Sequence, residues 1–182
     1  MRLFTGIALP QDASDRITNL IAELHPHADL AWTPAGKLHV TIKFIGDWPQ
    51  ARLPELQSVL SKLTAPSPID IAIRRIGWLP NPRAAHILYA GVESTEPLLA
   101  LASSMETALG ALGIPKETRV YRPHVTLARV PDRSHAPLDP LRAAIATHEL
   151  AHFAVFRATA FHLYLSNAGQ YTKLSEYPLP AA

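Results

Sequence analysis

The sequence contains no cysteine and little glycine, with 8 Gly against 17 Pro in 182 residues. Without cysteine there is no disulfide framework, no thiol nucleophile and no cysteine-based zinc site. This composition suits a reducing compartment, so we expect a cytoplasmic protein. Charge of one sign is also scarce, because 17 Lys and Arg against 15 Asp and Glu leave a formal net charge of only +2. So small an excess gives no argument for a protein that coats polyanions, although one or two basic side chains suffice for a local phosphate site.

Long hydrophobic runs are absent as well. The apolar stretch at the amino terminus is broken at Pro10, and nowhere do 18 apolar residues follow one another. We therefore expect neither a signal peptide nor a membrane-spanning segment. Hydrophobic residues nonetheless make up 48% of the chain and charged residues 18%. This is enough to bury a core, and it excludes a disordered chain.

The frequent prolines divide the chain into short alternating elements. Apolar patterns of period two predict strands at residues 3–9, 39–45, 69–73, 86–92, 124–130, 153–155, 161–165 and 171–177. Apolar stripes of helical spacing predict helices over residues 17–24, 53–63 and 98–112, with a short helix near Leu141. Hairpins favour antiparallel pairing, so we expect an α+β fold. No linker composition interrupts the sequence, which predicts a single domain over residues 1–182.

The tripeptide His-Val-Thr occurs twice, at residues 39–41 and 124–126, and opens a predicted strand each time. Residues i and i+2 of a strand share a face about 6.5–7 Å apart, so each copy presents an imidazole beside a hydroxyl. One neutral imidazole can accept a proton while a protonated one donates, and the hydroxyls can bind anionic oxygens. A single copy would be explained by an ordinary cross-strand pair. Two copies in matching strands predict acid–base chemistry around a tetrahedral anion.

Paired His-x-Thr motifs on strands resemble those of the two-histidine phosphoesterase superfamily. Within it, the sequence is most similar to the RNA 2′,3′-cyclic phosphodiesterases, also called 2′-5′ RNA ligases or LigT-like proteins. The similarity is carried by the segments RLFTGIALP, AWTPAGKLHVTIKFIG, WLPNPRAAHILYAGV, YRPHVTLARV and LYLSNAGQYTKLSEYPL. The resemblance implies a bilobal fold with two pseudo-symmetric antiparallel sheets that face a central cleft, and with helices outside.

The resemblance also implies roles for individual residues. His39 corresponds to the proton donor and His124 to the proton acceptor, while Thr41 and Thr126 correspond to residues that hold the phosphate. Arg129 matches a basic position near the phosphate. By resemblance the protein hydrolyses 2′,3′-cyclic phosphates of RNA ends or nucleotides to 2′-phosphates, and the reverse reaction would join RNA ends through a 2′-5′ linkage without ATP. No cofactor or metal is implied, and we expect a monomer.

Four further assignments depend on how the strands run. Strict alternation places Arg129 on the face opposite the second motif, so it reaches a phosphate only if the strand bulges. Lys43 would share the face of the first motif and is a second candidate cation, although a solvated lysine at a strand end is the simpler interpretation. We expect Phe44 in the core rather than as a stacking platform for a base. We interpret Arg83, in the proline-rich turn, as a surface residue of a hairpin.

A competing motif lies near the carboxyl end of the chain. His148, Glu149 and His152 form the pattern H-E-x-x-H of zinc metalloproteases, and Glu176 is a candidate third ligand downstream. That motif needs an uninterrupted helix, because both histidines must share one helical face. The period of two that begins at Phe153 instead predicts a strand at or just after His152. We therefore regard a zinc hydrolase as the weaker alternative.

A second alternative is a module that binds RNA ends or nucleotides with little catalysis. Such a module would keep the cleft without using it for chemistry. Binding alone, however, would not need two titrating side chains at matched positions. The duplicated histidine therefore favours an enzyme.

Overall fold

The computed structural model describes residues 1–131, 137–148 and 151–181. These residues contain the strands β1 (Arg2–Ala8), β2 (Ala31–Trp32), β3 (His39–Asp47), β4 (Ile69–Leu79), β5 (Ile87–Val92), β6 (His124–Arg129), β7 (His152–Ala158), β8 (Ala160–Asn167) and β9 (Gln170–Pro178). They also contain the helices α1 (Gln11–Leu24), α2 (Leu53–Leu60), α3 (Glu96–Gly110) and α4 (Asp139–Ala146). Each predicted element is present, although α1 begins six residues before its predicted start and β4 ends six residues after its predicted end. The two-residue strand β2 is the one that the pattern missed.

The strands form one antiparallel sheet in the order β7-β4-β5-β6-β3-β1-β8-β9, and β2 pairs with β6. The order divides at its middle into two four-stranded halves. Read outward from the middle, each half begins with a motif strand, β3 or β6, and continues with β1 or β5. Between β3 and β6 the described ladder holds one pair, Val40 with Val125. The α+β class with two pseudo-symmetric antiparallel sheets is thus confirmed, and this pair joins the sheets edge to edge.

Helices cover the outer face of the halves and cross between them. Helix α1 follows β1 in the first half and packs against β7 of the second. Helix α3 follows β5 in the second half and packs against β3 of the first. Ile17 and Leu24 of α1, with Leu98 and Met105 of α3, are completely buried. Because each half is covered by a helix of the other, separating the halves would expose the core to water.

Prolines set several helix boundaries. Pro10 precedes α1 as its N-cap residue, and Pro54 and Pro97 lie in the first turns of α2 and α3, where a missing N–H costs no hydrogen bond. Helix α1 ends at Leu24, two residues before Pro26, as the sequence predicts. Within the described residues, no helix is both long and apolar enough to cross a bilayer.

Candidate active site

The two His-Val-Thr motifs open their strands side by side at the junction of the halves. Val40 and Val125 are completely buried and pair with each other, while the histidine and threonine of each motif are half-buried on the other face. The alternation predicted for these tripeptides therefore holds. It directs two imidazoles and two hydroxyls toward the cleft between the halves.

Both imidazoles are anchored in the same way. His39 Nδ1 lies 2.7 Å from the carbonyl oxygen of Lys37, and His124 Nδ1 lies 2.7 Å from the carbonyl oxygen of Arg122. A carbonyl oxygen only accepts hydrogen bonds, so Nδ1 carries the proton in both rings. Nε2 of each ring is therefore the nitrogen that exchanges a proton, as acid when charged and as base when neutral.

The electrostatic surroundings favour neutral imidazoles when the cleft is empty. Burial is the main cause that lowers the pKa of His39, and the positive charges of His124 and Arg129 lower it further against the opposing bond to the Lys37 carbonyl. Burial also lowers the pKa of His124, again assisted by Arg129. His39, His124 and Arg129 thus lie within electrostatic reach of one another. An anion among them would reverse the effect and favour the protonated rings.

His39 lies among aromatic side chains. Its ring centroid is 4.9 Å from that of Phe4, 5.4 Å from that of Tyr171 and 5.9 Å from that of Tyr164. Its Nε2 is also 3.0 Å from Thr41 Oγ1, a hydroxyl that can donate to the neutral ring or accept from the charged one. These contacts fix the ring in one orientation toward the cleft.

Two glycines allow these close contacts. A Cβ atom at Gly6 would lie 3.2 Å from His39 Cδ2 and 2.8 Å from a carbonyl oxygen of β3, so β1 can pass under the first motif only without a side chain there. A Cβ atom at Gly77 would lie 2.5 Å from the ring of Tyr89. The bare backbone of β4 thus leaves room for that ring, whose centroid is 5.3 Å from that of His124.

The same bulge interrupts both motif strands. The β1–β3 ladder skips Ile42 and the β5–β6 ladder skips Leu127, each the third residue after its motif histidine. A skipped residue reverses the alternation of faces beyond it. Arg129 therefore lies on the same face as His124. From the sequence, Arg129 required such a bulge before it could reach a phosphate bound at the motif. Its effect on the pKa of both histidines agrees with this position.

The bulge also overturns two expectations for β3. Lys43 is neither solvated nor on the face of the first motif, because the reversed alternation turns it into the core. It is 6% exposed, its Nζ lies 2.7 Å from Glu106 Oε1, and it donates to the carbonyl oxygen of Pro115 at 2.8 Å. Phe44 is 63% exposed on the face of His39, so its prediction as a core residue is wrong.

Arg83 lies in the turn between β4 and β5 and is exposed. Its backbone N–H and that of Ala84 donate to Asn81 Oδ1, which closes the turn locally. The contacts that the structure gives it belong to this turn. Arg83 therefore fits the interpretation as a surface residue of a hairpin.

The structure separates the residues of the H-E-x-x-H pattern. Helix α4 ends before His148, whose Nε2 lies 3.1 Å from Glu23 Oε1, and His152 opens strand β7. Glu149 lies outside the described residues. Glu176 instead pairs with a histidine of β8 at 2.9 Å. His148 and His152 therefore do not share a helical face, and within the described ranges no group of three potential metal ligands gathers.

One contact at the junction escaped the sequence analysis. The hydroxyl of Tyr121 donates to the backbone carbonyl of Thr41 at 2.9 Å, and burial raises the pKa of Tyr121, so the group stays protonated. This bond ties the backbone of the first motif to the segment that leads into the second. A partner that is a backbone carbonyl on a distant strand leaves no pattern in the sequence. Only the position of Tyr121 just before the second motif hinted at it.

Comparison with known proteins places this geometry in a family. The model of the 2′-5′ RNA ligase superfamily matches residues 9–170. An RNA 2′,3′-cyclic phosphodiesterase of Methanothermobacter thermautotrophicus is 30% identical over 132 residues, which cover 71% of each chain. A protein of the same name from Methanocaldococcus jannaschii is 28% identical over 166 residues, which cover 91% of each chain.

Solved structures share the fold. Escherichia coli LigT complexed with 3′-AMP superposes with a TM-score of 0.79 at 21% identity, over 98% of this chain and 97% of that one. A protein of Thermus thermophilus superposes with a TM-score of 0.77 at 24% identity, with the same coverage. The family match spans both motifs and most of the sequence between and around them. The chain therefore belongs to the 2′-5′ RNA ligase superfamily of two-histidine phosphoesterases.

Proposed function

We propose that this protein is an RNA 2′,3′-cyclic phosphodiesterase, which opens the cyclic phosphate at an RNA end or on a nucleotide to leave a 2′-phosphate. The observation that carries the proposal is the pair of imidazoles anchored through Nδ1, within electrostatic reach of each other and of one arginine. The names of the curated relatives support the same activity. In this proposal residues 1–182 act as one bilobal domain, as a monomer, in the cytoplasm.

The two histidines take opposite roles in the proposed reaction. Neutral His124 accepts a proton at Nε2 from the water that attacks phosphorus, and protonated His39 gives its Nε2 proton to the departing 3′-oxygen. One P–O bond forms to water and the P–O3′ bond breaks, so the phosphate stays on the 2′-oxygen. Thr41, Thr126 and Arg129 stabilise the charge on the non-bridging oxygens. Proton exchange with solvent then restores the starting state.

The charges around the site support this division of labour. Without substrate, burial and the neighbouring cations lower the pKa of both imidazoles, which suits a neutral base. A bound cyclic phosphate carries a negative charge and favours the protonated form of a ring beside it. The negative charge of the bound substrate thus favours a protonated His39 as the acid, while burial and Arg129 favour a neutral His124 as the base.

Acid–base chemistry and a phosphate clamp suffice for this substrate because the five-membered cyclic ester is strained. The proposal therefore includes no metal and no cofactor. The same strain would allow ligation: a 5′-hydroxyl of RNA replaces water, the 3′-oxygen leaves, and a 2′-5′ linkage forms without ATP.

The test uses a purified oligonucleotide that ends in a 2′,3′-cyclic phosphate, incubated with the protein in EDTA. We expect opening of the ring, with the phosphate found on the 2′-oxygen by ³¹P NMR or by digestion with a 3′-specific phosphatase. The variants His39→Ala and His124→Ala are the matched controls. A 3′-phosphate product, or binding of the oligonucleotide without turnover by the wild-type protein, would contradict the proposal, and the second result would favour the binding module.

A further inference from the structure

A cavity of about 290 Å³ opens beside His39, on the first half of the molecule. We call it the His39 cavity. It lies between the start of α1, the segment of residues 35–38 and the hairpin of β8 and β9. Its lining includes His39 itself, so the cavity adjoins the first motif. The proposed chemistry does not use the rest of this space.

The His39 cavity is lined by two lysines. Lys37 reaches the β8–β9 turn, because a Cβ atom at Gly169 would lie 4.0 Å from Lys37 Nζ. Lys173 lies on β9 of the same hairpin, and both side chains line the cavity. The lining residues within the described chain include no carboxylate. Two cations without a facing acidic side chain favour an anionic ligand.

The start of α1 adds hydrogen-bond donors to the same space. Pro10 caps the helix without a side-chain bond, so Pro10 leaves the first backbone N–H groups without a capping acceptor. Gln11 and Ser14 of this first turn line the cavity. The positive end of the helix dipole and Ser14 therefore border the same cavity as the two lysines.

Tyr164 adds a hydrogen-bond donor to the lining of the cavity. Its side chain is 6% exposed and lines the cavity, and its hydroxyl has no hydrogen-bond partner in the part of the chain that the structure describes. Burial raises the pKa of Tyr164 to about 12, so the hydroxyl stays a donor. The hydroxyl oxygen itself is not fully enclosed, so it is open to a ligand oxygen in the cavity.

We infer that the His39 cavity binds a phosphate on the 5′-oxygen of the nucleotide that carries the cyclic phosphate. This inference rests on the proposed function, which holds the cyclic phosphate between His39 and His124. Only the ribose separates that group from the next phosphate of the chain. A nucleobase would not require this combination of Lys37, Lys173 and the Tyr164 hydroxyl, whereas phosphate oxygens accept from all three.

Three substrates separate this site from the catalytic one. They are adenosine 2′,3′-cyclic phosphate, the same compound with a 5′-phosphate, and a diadenosine with an internal phosphodiester and the same cyclic end. We expect kcat/KM for the phosphorylated substrates to exceed that of the first by about tenfold or more, mainly through KM. Equal gains for both assign the site to RNA ends, and a gain for the terminal phosphate alone assigns it to free nucleotides.

Variants of the cavity residues test whether the preference for 5′-phosphorylated substrates arises in the His39 cavity. In Lys37→Met with Lys173→Met, the ratio of kcat/KM between the phosphorylated and unphosphorylated substrates should fall to about one. Tyr164→Phe, which preserves the ring, should lower the ratio severalfold. Lys62→Met changes an exposed lysine outside the cavity and should keep the wild-type ratio. Thermal melting of each variant checks that it is folded.

The possible failures of the inference and of the proposed function are distinguishable. A wild-type protein that opens the cyclic phosphate of all three substrates with equal kcat/KM overturns the inference and leaves the activity standing. A preference that survives in both cavity variants overturns it as well. Failure to open any of the three substrates instead contradicts the proposed function.

Discussion

The motif strands β3 and β6 carry the same tripeptide and the same bulge, yet they deliver different side chains. Four residues after the motif histidine, β3 turns Lys43 into the core and β6 turns Ala128 there. Five residues after it, β3 carries Phe44 and β6 carries Arg129, and both are exposed on the face of the motif histidine. An equal backbone geometry thus places an aromatic ring on one side and a cation on the other.

This difference gives the two imidazoles unequal surroundings. His39 is packed against Phe4 and two tyrosines, whereas the ring of His124 meets Tyr89 and lies on the strand that carries Arg129. Titratable groups whose surroundings differ can take different roles in one reaction. Duplication of a motif therefore supplies the pair of groups, and the residues that follow the bulge differentiate them.

Removing either histidine should have the largest effect. We expect His39→Ala and His124→Ala each to lower kcat by roughly 10²–10⁴, because each removes one proton transfer. The double variant should lose less than the product of the two effects, since the pair acts as a unit. Single-turnover and steady-state rates on an oligonucleotide with a cyclic end measure this. Near-wild-type turnover in either single variant would remove that residue from the chemistry.

The pH dependence tests which histidine is the base. The base must be neutral, so activity falls below its pKa, and the acid must be protonated, so activity falls above its pKa. Burial and Arg129 lower both values, so kcat/KM should peak on the acidic side of 6.5, the ordinary histidine value. Bound substrate favours the protonated ring, which should move the alkaline limb of kcat to higher pH.

Residual activity of the variants then assigns the limbs of that profile. Replacement of His124 should remove the acidic limb, and replacement of His39 should remove the alkaline limb. The reverse pattern would exchange the two roles. A flat profile from about pH 5 to 9 at a rate limited by chemistry is incompatible with two-histidine catalysis.

Arg129→Met removes the cation that β6 carries at the position where β3 carries Phe44. We expect kcat/KM to fall by roughly 10–10³, the range for loss of one preorganised charge-stabilising group. Because Arg129 lowers the pKa of both histidines, its removal should also shift both limbs of the pH profile to higher pH. Arg83→Met, at an exposed turn, is the matched control and should change neither. A loss of activity with an unshifted profile would mean that Arg129 acts on the site only through structure.

Lys43→Met should lower stability and leave turnover almost unchanged, whereas Arg129→Met should lower turnover. The change leaves Glu106 without its cation in a partly buried position, which we expect to cost about 1–3 kcal/mol of the free energy of unfolding. Urea denaturation measures this cost, and the double variant with Glu106→Leu should recover part of it. Turnover of the folded protein should change far less than in Arg129→Met. A loss of turnover as large as that of Arg129→Met would contradict this structural role and support Lys43 as a phosphate-binding residue.

The strands β3 and β6 show which features of the fold and the site could be predicted from the sequence and which could not. Apolar periodicity predicts the helices and strands well, because burial of one face decides both. The duplicated tripeptide predicts the faces of His39 and His124, since no irregularity falls inside it. The positions of Lys43, Phe44 and Arg129 depend on one skipped residue per strand. A bulge is set by pairing with distant strands, and Ile42 and Leu127 look like any other apolar strand residue.

Tyr121→Phe should have the smallest effect and tests how the two motif strands are held together. The described β3–β6 ladder holds one pair, so the bond from the Tyr121 hydroxyl to the Thr41 carbonyl is a second tie across the junction. We expect a loss of about 0.5–1.5 kcal/mol in the free energy of unfolding, with the ring still packed. If the tie also sets the spacing of the imidazoles, kcat should fall severalfold while KM stays constant, because only the geometry of proton transfer is disturbed. A change in stability with kcat unaltered would limit Tyr121 to holding the two halves together, and would leave the spacing of the histidines to the shared core.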